Sequence, residues 1–377
     1  MDTPTPQTSS PTTTRLRIGG QALAVVGRAR VYVCGVTPYD VTHLGHAATY
    51  VWVNAADRLL RRLGVAVEVC RNVTDVDDVL FAAAGRDGAH YDRFAAVQQF
   101  HFEQDMAALG VRQPAHEPRA HRFVPQVVEL ASALVDLGAA YVSGGSVFLP
   151  GAPVAERAGL TREQALLALE GNGGRTQDPA KRDPLDQAVW QRSEPGEPAW
   201  PSPWGDGRPG WHAECTAMAL STYGPGMDLH AGGADLRFPH HAFEAAQGEA
   251  ATGVAPYARA WLHVGLVGYE GAKMAKSTGN LVFVRDLLEQ VPGAVVRTLL
   301  LDRSHVDAWD HRPELLEQAG VRLDALRAAA GRPHTDPVAS AAVLAALADD
   351  LDVPRALDLA ITEGGQAARD LAAVLAL

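Results

Sequence analysis

Short β-branched runs alternate along the chain with longer stretches in which apolar residues recur every three or four positions. Residues 31–33 (Val-Tyr-Val) form the first such run; Gly35 and Pro38 break it, and an Ala- and Leu-rich segment follows to about residue 62. That order predicts a strand, a tight turn and a helix, with Asp40, Thr42 and His43 offering helix caps. Residues 65–69 repeat the unit and end in Arg71-Asn72-Val73-Thr74-Asp75-Val76-Asp77-Asp78. Its aspartates suit a helix start; a magnesium site is the alternative, and capping is the preferred reading. Two strand–turn–helix units in succession predict an α/β fold with a doubly wound parallel sheet.

Around these units the pattern is more varied. Apolar alternation over residues 16–26 suits an edge hairpin. Residues 91–138 have helical period, with Phe94, Phe100, Phe102 and Leu109 in one span and Val127, Leu130, Leu134 and Leu137 in the next, all expected in the core. Tyr141-Val142 and Val147-Phe148-Leu149 flank Gly144-Gly145 as the arms of a hairpin would. Residues 151–204 are rich in Gly, Pro and charge and show little periodicity. A helix then opens at Trp211, after Gly207-Arg208-Pro209-Gly210, and residues 227–229 form a short strand leading to Gly232-Gly233-Ala234-Asp235. Pro239 is well placed in the first turn of another helix. Residues 261–267 read as the last core strand. From about residue 285 the pattern is helical; residues 314–377 carry ten acidic and five basic side chains, as a short acidic bundle would.

Composition narrows the function classes. At 377 residues the chain has room for a large catalytic domain and one or two smaller modules. A net charge of -11 disfavours broad polyanion binding, because nucleic-acid proteins use basic patches to release counterions. There is no run of 18 apolar residues, and residues 1–14, mostly Thr, Pro and Ser, read as a disordered tail. A cytoplasmic protein without membrane attachment is therefore expected. Three widely separated cysteines fit a reducing compartment. Lysine is rare: three occur against 30 arginines, and two of them, Lys273 and Lys276, share the segment Gly271-Ala272-Lys273-Met274-Ala275-Lys276-Ser277. A compact, mobile charge suits a role that a planar guanidinium fills poorly; clustering on a solvated loop is the alternative.

The candidate chemistry centres on the first strand–turn–helix junction. In an open parallel sheet, ligands bind beyond the carboxyl ends of the strands, and the free N–H groups of a helix start favour phosphate. His43 and His46 stand three apart there, near enough to act on one anion, and Cys34 at the strand end supplies a soft metal ligand or a nucleophile. Cys34-Gly35, Thr37-Pro38-Tyr39-Asp40 and Thr42-His43-Leu44-Gly45-His46-Ala47-Ala48-Thr49-Tyr50 together resemble the HIGH stretch of class I aminoacyl-tRNA synthetases. The resemblance is to the cysteine-activating branch, and within it to the mycothiol-pathway cysteine ligases. The lysine segment is similar to the KMSKS motif of that class, with Ala275 replacing a serine, which removes one phosphate hydrogen bond and is expected to slow adenylation. Gly173, Gly174, Asp178 and Pro179 are a looser version of the ligases' glycine-rich loop.

The resemblance covers residues 29–310 and implies a class I synthetase-type Rossmann sheet with an inserted subdomain and a C-terminal helical bundle. After the tail, residues 15–110 would form the first Rossmann half and 111–204 the insertion. Residues 205–284 would form the second half, with the metal site and the lysine loop, and 285–377 the bundle. It also implies an ATP-dependent acid–amine ligase. With Mg2+ and ATP, such an enzyme activates L-cysteine as cysteinyl-adenylate and passes it to the amine of glucosaminyl-inositol in mycothiol biosynthesis. A cysteinyl-tRNA synthetase lacking an anticodon domain is the alternative.

By the same resemblance His43, His46, Lys273 and Lys276 would steady the departing pyrophosphate. The adenylate and cysteine pocket would be lined by Cys34, Gly35, Val36, Thr37, Thr49, Asn72, Val73, Thr74, Trp211, Gly233, Ala234, Asp235 and Val267, although Trp211 and Val267 also read as plain core. Cys34, Cys215 and His240 would hold one Zn2+ ion (zinc), which tells cysteine from serine by its sulfur. Glu244, four residues after His240 on one helical face, is open to three readings: ligand, partner of His240, or solvent-facing. Cys70 matches no ligand position and is expected in the core. The working unit would be a monomer without nucleic acid.

Overall fold

A computed structural model describes residues 14–38, 42–274 and 279–377. The first 13 residues of the expected tail, together with Tyr39, Asp40, Ala275 and Lys276, lie outside the described residues, and of Lys273 only the backbone is described. A small hairpin, β1 (Arg17–Ile18) and β2 (Gln21–Ala22), opens the chain where alternation predicts one. β3 (Arg28–Val36) leads into α1 (Leu44–Arg62), and β4 (Ala66–Val73) into α2 (Asp78–Asp87) and α3 (Tyr91–Ala108). β4 continues past its expected end at residue 69, because the N–H groups of Arg71 and Val73 donate to the carbonyls of His116 and Pro118. Asn72 and Val73 thus belong to the strand and not to the turn after it.

The segment expected as the insertion contains α4 (Val124–Asp136), β5 (Tyr141–Ser143), β6 (Ser146–Leu149), α5 (Ala152–Arg157), α6 (Arg162–Gly171) and β7 (Gln187–Arg192), and its sheet is completed by β8 (Gly207–Pro209), past the expected end at residue 204. The stretch with little periodicity is therefore structured. Thr161 and Gln164 form a capping box that fixes the start of α6, a local signal independent of apolar period. The chain returns to the main sheet through α7 (Trp211–Tyr223), β9 (Met227–Gly233), α8 (His240–Thr252) and β10 (Ala258–Val264). β10 ends three residues before Val267, which instead starts β11 (Val267–Tyr269) in a separate sheet with β12 (Ala272–Lys273) and β13 (Trp309–His311). Helices α9 (Val284–Leu288), α10 (Gly293–Leu301), α11 (Pro313–Ala330), α12 (Pro337–Ala348), α13 (Val353–Glu363) and α14 (Gly365–Leu375) complete it. None of the described helices is long and apolar enough to cross a membrane.

The main sheet has the order β10-β9-β3-β4 and is parallel throughout. Chain progress runs from β3 outward to β4, then crosses to β9 and β10 on the other side. The gap between the carboxyl ends of β3 and β9 is thus a topological switch point, where an open α/β sheet has its ligand crevice. One apolar cluster joins α1 and the sheet to the C-terminal helices through residues such as Leu59, Leu229, Leu299 and Leu371. A second joins the insertion to α7 and α8 through Val127, Trp190, Ala217 and Phe243. Phe102, Leu109, Val127, Leu130 and Leu134 are buried as expected, and Phe94 is half-buried. Phe100 is 57% exposed, since it lies two residues from Phe102 on the opposite face of α3, and Leu137 is 62% exposed at the C-cap of α4.

Cap assignments also change. His43 is the N-cap residue of α1 without a side-chain cap bond, and Thr42 stands one residue outside it. Asp77 caps α2 by accepting from the N–H groups of Val79 and Leu80. Asp75 is instead held by His121, whose N and Nδ1 lie 2.9 and 2.6 Å from its oxygens.

Candidate metal and adenylate site

The candidate residues collect along one edge of the sheet. Cys34, Gly35 and Val36 close β3, with Thr37 just past it; Asn72 and Val73 close β4, followed by Thr74; Gly233 closes β9, and Ala234 and Asp235 begin a single 3-10 turn. His43 and His46 flank the start of α1, their rings 3.8 Å apart between centroids, and Thr49 is buried one turn on. Trp211 opens α7 with Cys215 a turn later, and His240 opens α8 with Glu244 a turn later. Val267 packs towards the α1 start: a Cβ on Gly45 would lie 4.0 Å from its Cβ. The side chains of Lys273 and Lys276 are not among those described, so the lysine pair is placed only through the β11–β12 backbone ladder at Lys273.

Gly35 shows why the edge needs that residue type. A Cβ there would stand 1.5 Å from the Asn72 carbonyl oxygen, so no larger residue fits without parting β3 from β4. Its N–H donates to Asn72 Oδ1 at 2.8 Å. Asn72 Nδ2, thus oriented, lies 3.0 Å from Thr74 Oγ1 and 3.4 Å from Cys215 Sγ. Asn72, expected as an adenylate contact, is therefore also a prop for a sulfur.

Ligand atoms of Cys34, Cys215, His240 and Glu244 all lie within 4.8 Å of one another, and all four residues are buried. Cys34 Sγ donates to Glu244 Oε1 at 3.2 Å, while Glu244 Oε2 faces His230 Nε2 at 2.8 Å. His240 Nε2 is 2.8 Å from Glu244 Oε1 but lacks an aligned hydrogen bond. The other nitrogen of His240, Nδ1, meets His212 Nδ1 at 2.8 Å. Burial, reinforced by the neighbouring His240, holds His212 well below the usual imidazole range, so His212 is neutral. His212 Nδ1 then accepts and His240 Nδ1–H donates. With Nδ1 so engaged, His240 turns Nε2 to the cluster, as a metal-binding histidine fixed through its far nitrogen does.

The electrostatics of the four groups follow from the same contacts. A hydrogen bond from Cys34, opposed by burial and helped by His240, brings the Cys215 thiol down to about 6. Burial, and then the bond to Cys215, push the Cys34 thiol up. Burial alone would lower His240, but Glu244 and then Cys215 outweigh it and hold the imidazole at about 10. Glu244 stays ionised well below the usual range: burial opposes this, and His230 and His240 overcome it. At neutral pH the buried set is one thiolate and one carboxylate against one imidazolium, a surplus of negative charge. Two sulfurs, an imidazole nitrogen without an aligned bond and that surplus fit a soft divalent metal, which would displace the protons of Cys34 and His240.

Three buried histidines went unnoticed in the sequence: His212, His230 and His241. Cys34, His230, His241 and Glu244 form a second group within 4.8 Å, and His241 Nδ1 lies 2.9 Å from His263 Nε2. The available signal was a histidine inside the Leu229–Ala231 strand run, followed by glycines. Gly232 leaves room for the His241 ring, since a Cβ there would be 2.8 Å from its Cε1. Trp211 stacks on His240 at 4.3 Å and so belongs to the site as well as to the packing. Cys70 is buried outside both groups, as expected.

Residues 22–321 match the family described as tRNA synthetases class I (C) catalytic domain. The chain belongs to that family. This class I synthetase-family chain is 43% identical over 342 residues to the L-cysteine:1D-myo-inositol 2-amino-2-deoxy-alpha-D-glucopyranoside ligase of Frankia casuarinae, covering 89% of this chain and 74% of the relative. The ligase of the same name from Mycobacterium ulcerans is 44% identical over 340 residues, covering 87% and 82% respectively. Among solved structures, Mycobacterium tuberculosis methionyl-tRNA synthetase in complex with methionyl-adenylate superposes with a TM-score of 0.64 at 16% identity. That likeness covers 92% of this chain and 82% of the other, and it shows the shared class I synthetase fold.

Proposed function

We infer that the chain is an ATP-dependent ligase that activates L-cysteine as cysteinyl-adenylate and passes the cysteinyl group to the amine of glucosaminyl-inositol, in mycothiol biosynthesis. The observation that carries this reading is the buried Cys34–Cys215–His240–Glu244 cluster at the switch point of the sheet. The named ligases, at 43–44% identity, supply the acceptor. With Mg2+ and ATP, a carboxylate oxygen of cysteine attacks the α-phosphorus and the bond to the bridging β-phosphate oxygen breaks. The acceptor amine then attacks the carbonyl carbon; a C–N bond forms, the C–O bond to AMP breaks, and the amine gives up a proton.

Charge moves onto the departing pyrophosphate, so fixed cations and dipoles aimed there lower the barrier. We assign that task to His43, His46, Lys273, Lys276 and the N-terminus of α1. The ends of β3, β4 and β9, with Thr49, Trp211 and Val267, would line the adenylate. Cys34, Cys215 and His240 would hold zinc, with Glu244 backing His240 and offering an oxygen as fourth donor. When bound, the metal supplies a soft site for sulfur that a hydroxyl occupies poorly, whereas a plain apolar pocket separates near-isosteres by only about 10- to 200-fold.

We take the working unit to be a single cytoplasmic chain without nucleic acid; three free cysteines and a net charge of -11 support this. We also retain the five-part division of the chain, with the end of the insertion moved past β8; two apolar clusters support it, one in the sheet with its C-terminal helices and one joining the insertion to α7 and α8. The test offers ATP and cysteine with either glucosaminyl-inositol or tRNA. Cysteinylation of the aminosugar is expected; charging of tRNA in its place would establish the synthetase alternative.

A further inference from the structure

Next to the metal cluster lies a cavity of about 190 Å3, of mixed polar and apolar lining, that shares only Trp211 with the residues assigned to the adenylate. The start of α2 (Asp77, Asp78), the first turn of α7 (Trp211, Glu214) and the loop after α6 (Arg175, Lys181) line it. Glu214 directly precedes Cys215 and is buried, yet neither of its carboxylate oxygens has a hydrogen-bond partner. Burial, and then the neighbouring Cys215, push the Glu214 carboxyl well up, and a polar group sealed beneath a cavity wall without a partner is costly unless a ligand supplies one. Facing the cavity from the other side, the Lys181 side chain forms no hydrogen bond or ion pair among the described residues, while its backbone N–H donates to the Asp178 carbonyl. Asp78 ties the wall together through Arg175 at 2.8 Å and Arg208 at 3.0 Å.

On the far side of residues 174–178 lies a second basin of about 730 Å3, lined by polar side chains that include Thr176, Gln177, Arg192 and Glu194. The two basins share Gly174, Arg175, Asp178 and Gln191, so they are neighbours across one strip of backbone.

We propose that the two basins together form the acceptor site, the inner one taking the amine-bearing ring of a two-ring polyol and the outer one its uncharged ring. This rests on the ligase reading above and deepens it. The inner cavity falls below the roughly 300–1,000 Å3 of pockets that enclose drug-sized ligands, so it suits one ring. Its lining pairs carboxylates with an unengaged ammonium group, which matches a ligand that is cationic at one atom and hydroxylated elsewhere. The inner basin also touches Trp211, which stacks on His240, and so lies nearest the end where cysteine is activated.

The test measures cysteine transfer to glucosaminyl-inositol and to the one-ring methyl glucosaminide, for wild type, Lys181→Met and Arg192→Ala. Cysteine-dependent ATP–pyrophosphate exchange is run beside each. Lys181→Met should raise KM about tenfold for both acceptors, as loss of a hydrogen bond from a charged group does, and leave exchange at the wild-type rate. Arg192→Ala should raise KM about fivefold for the two-ring acceptor alone. Acceptor KM values within about twofold of wild type in both variants, with normal exchange, would overturn the assignment and leave the ligase reading standing. Lost exchange in folded Lys181→Met would move Lys181 into adenylation and overturn it too. A wild type that exchanges pyrophosphate but transfers cysteine to neither acceptor would overturn the ligase reading, and this inference with it.

Discussion

Glu244→Gln keeps the size of the side chain and removes the charge on which the buried cluster turns. Glu244 receives Cys34 at 3.2 Å and stands 2.8 Å from the Nε2 atoms of both His230 and His240. Despite burial, it and Cys215 lift His240 from 6.5 to about 10. At about 1.36 kcal/mol per pH unit, that net lift is worth about 5 kcal/mol, divided between the two anions. At neutral pH about 4 kcal/mol of that lift is realised, so assigning half or a little more to Glu244 gives a loss of about 2 kcal/mol in the metal-free protein. At about 2–4 °C per kcal/mol for somewhat smaller chains, Tm should fall by about 5 °C.

The pH dependence of that difference has a fixed sign. The folded value of His240 lies above its unfolded one, so its contribution is complete below about 6.5 and lost as pH rises through about 10. The gap in Tm between wild type and variant should therefore close over that range. Zinc affinity should fall about 10- to 100-fold, the usual result of removing the group that orients a metal ligand. Scanning calorimetry of the metal-free proteins and competition with a chromophoric chelator read the two quantities. A variant with unchanged Tm and affinity within about threefold of wild type would refute the reasoning.

In metal-free protein, thiolate ultraviolet absorbance should appear as pH rises through about 6, since the Cys215 thiol is depressed to that value. Because its folded value lies below the unfolded one, its stabilisation is present above about 9 and lost as pH falls through about 6. Cys215→Ser should abolish that transition and metal retention together, while Cys70→Ala, whose thiol burial pushes up to about 12, should change neither. His43→Asn and His46→Asn should each slow cysteine-dependent pyrophosphate exchange by about 100-fold with little change in Tm, and the double variant should be less than additive because the rings lie in contact, 3.8 Å apart between centroids. Gly35→Ala should cost at least about 3 kcal/mol or prevent folding, since its Cβ would overlap a β4 carbonyl; a soluble variant with wild-type Tm would contradict the structure.

The sequence showed whatever depends on neighbours along the chain. The β3 and α1 elements on either side of residues 39–41, the hairpin at Gly144-Gly145 and the α7 and α8 starts are local patterns of turn residues and apolar period, and these elements appear where expected. Features that depend on partners far along the chain were hidden. β4 extends because residues 116–119 pair with its end, and Val267 leaves the main sheet to pair with Trp309. His212, His230 and His241 matter only because α7, β9 and α8 bring them beside His240 and Glu244. Cys34, Cys215 and His240 are separated by 181 and 25 residues, so spacing alone joined nothing. Their meeting within 4.8 Å is a product of the fold.

A single turn of α7 looks both ways: Cys215 faces the sulfur-rich chamber, and its predecessor Glu214 borders the basin beside the insertion. In the ligase reading proposed above, one helical turn thus borders both the cluster assigned to cysteine and the basin assigned to the amine. Replacing residues 172–194 alone would then ask for a changed amine acceptor with the Cys34–Cys215–His240 cluster left in place.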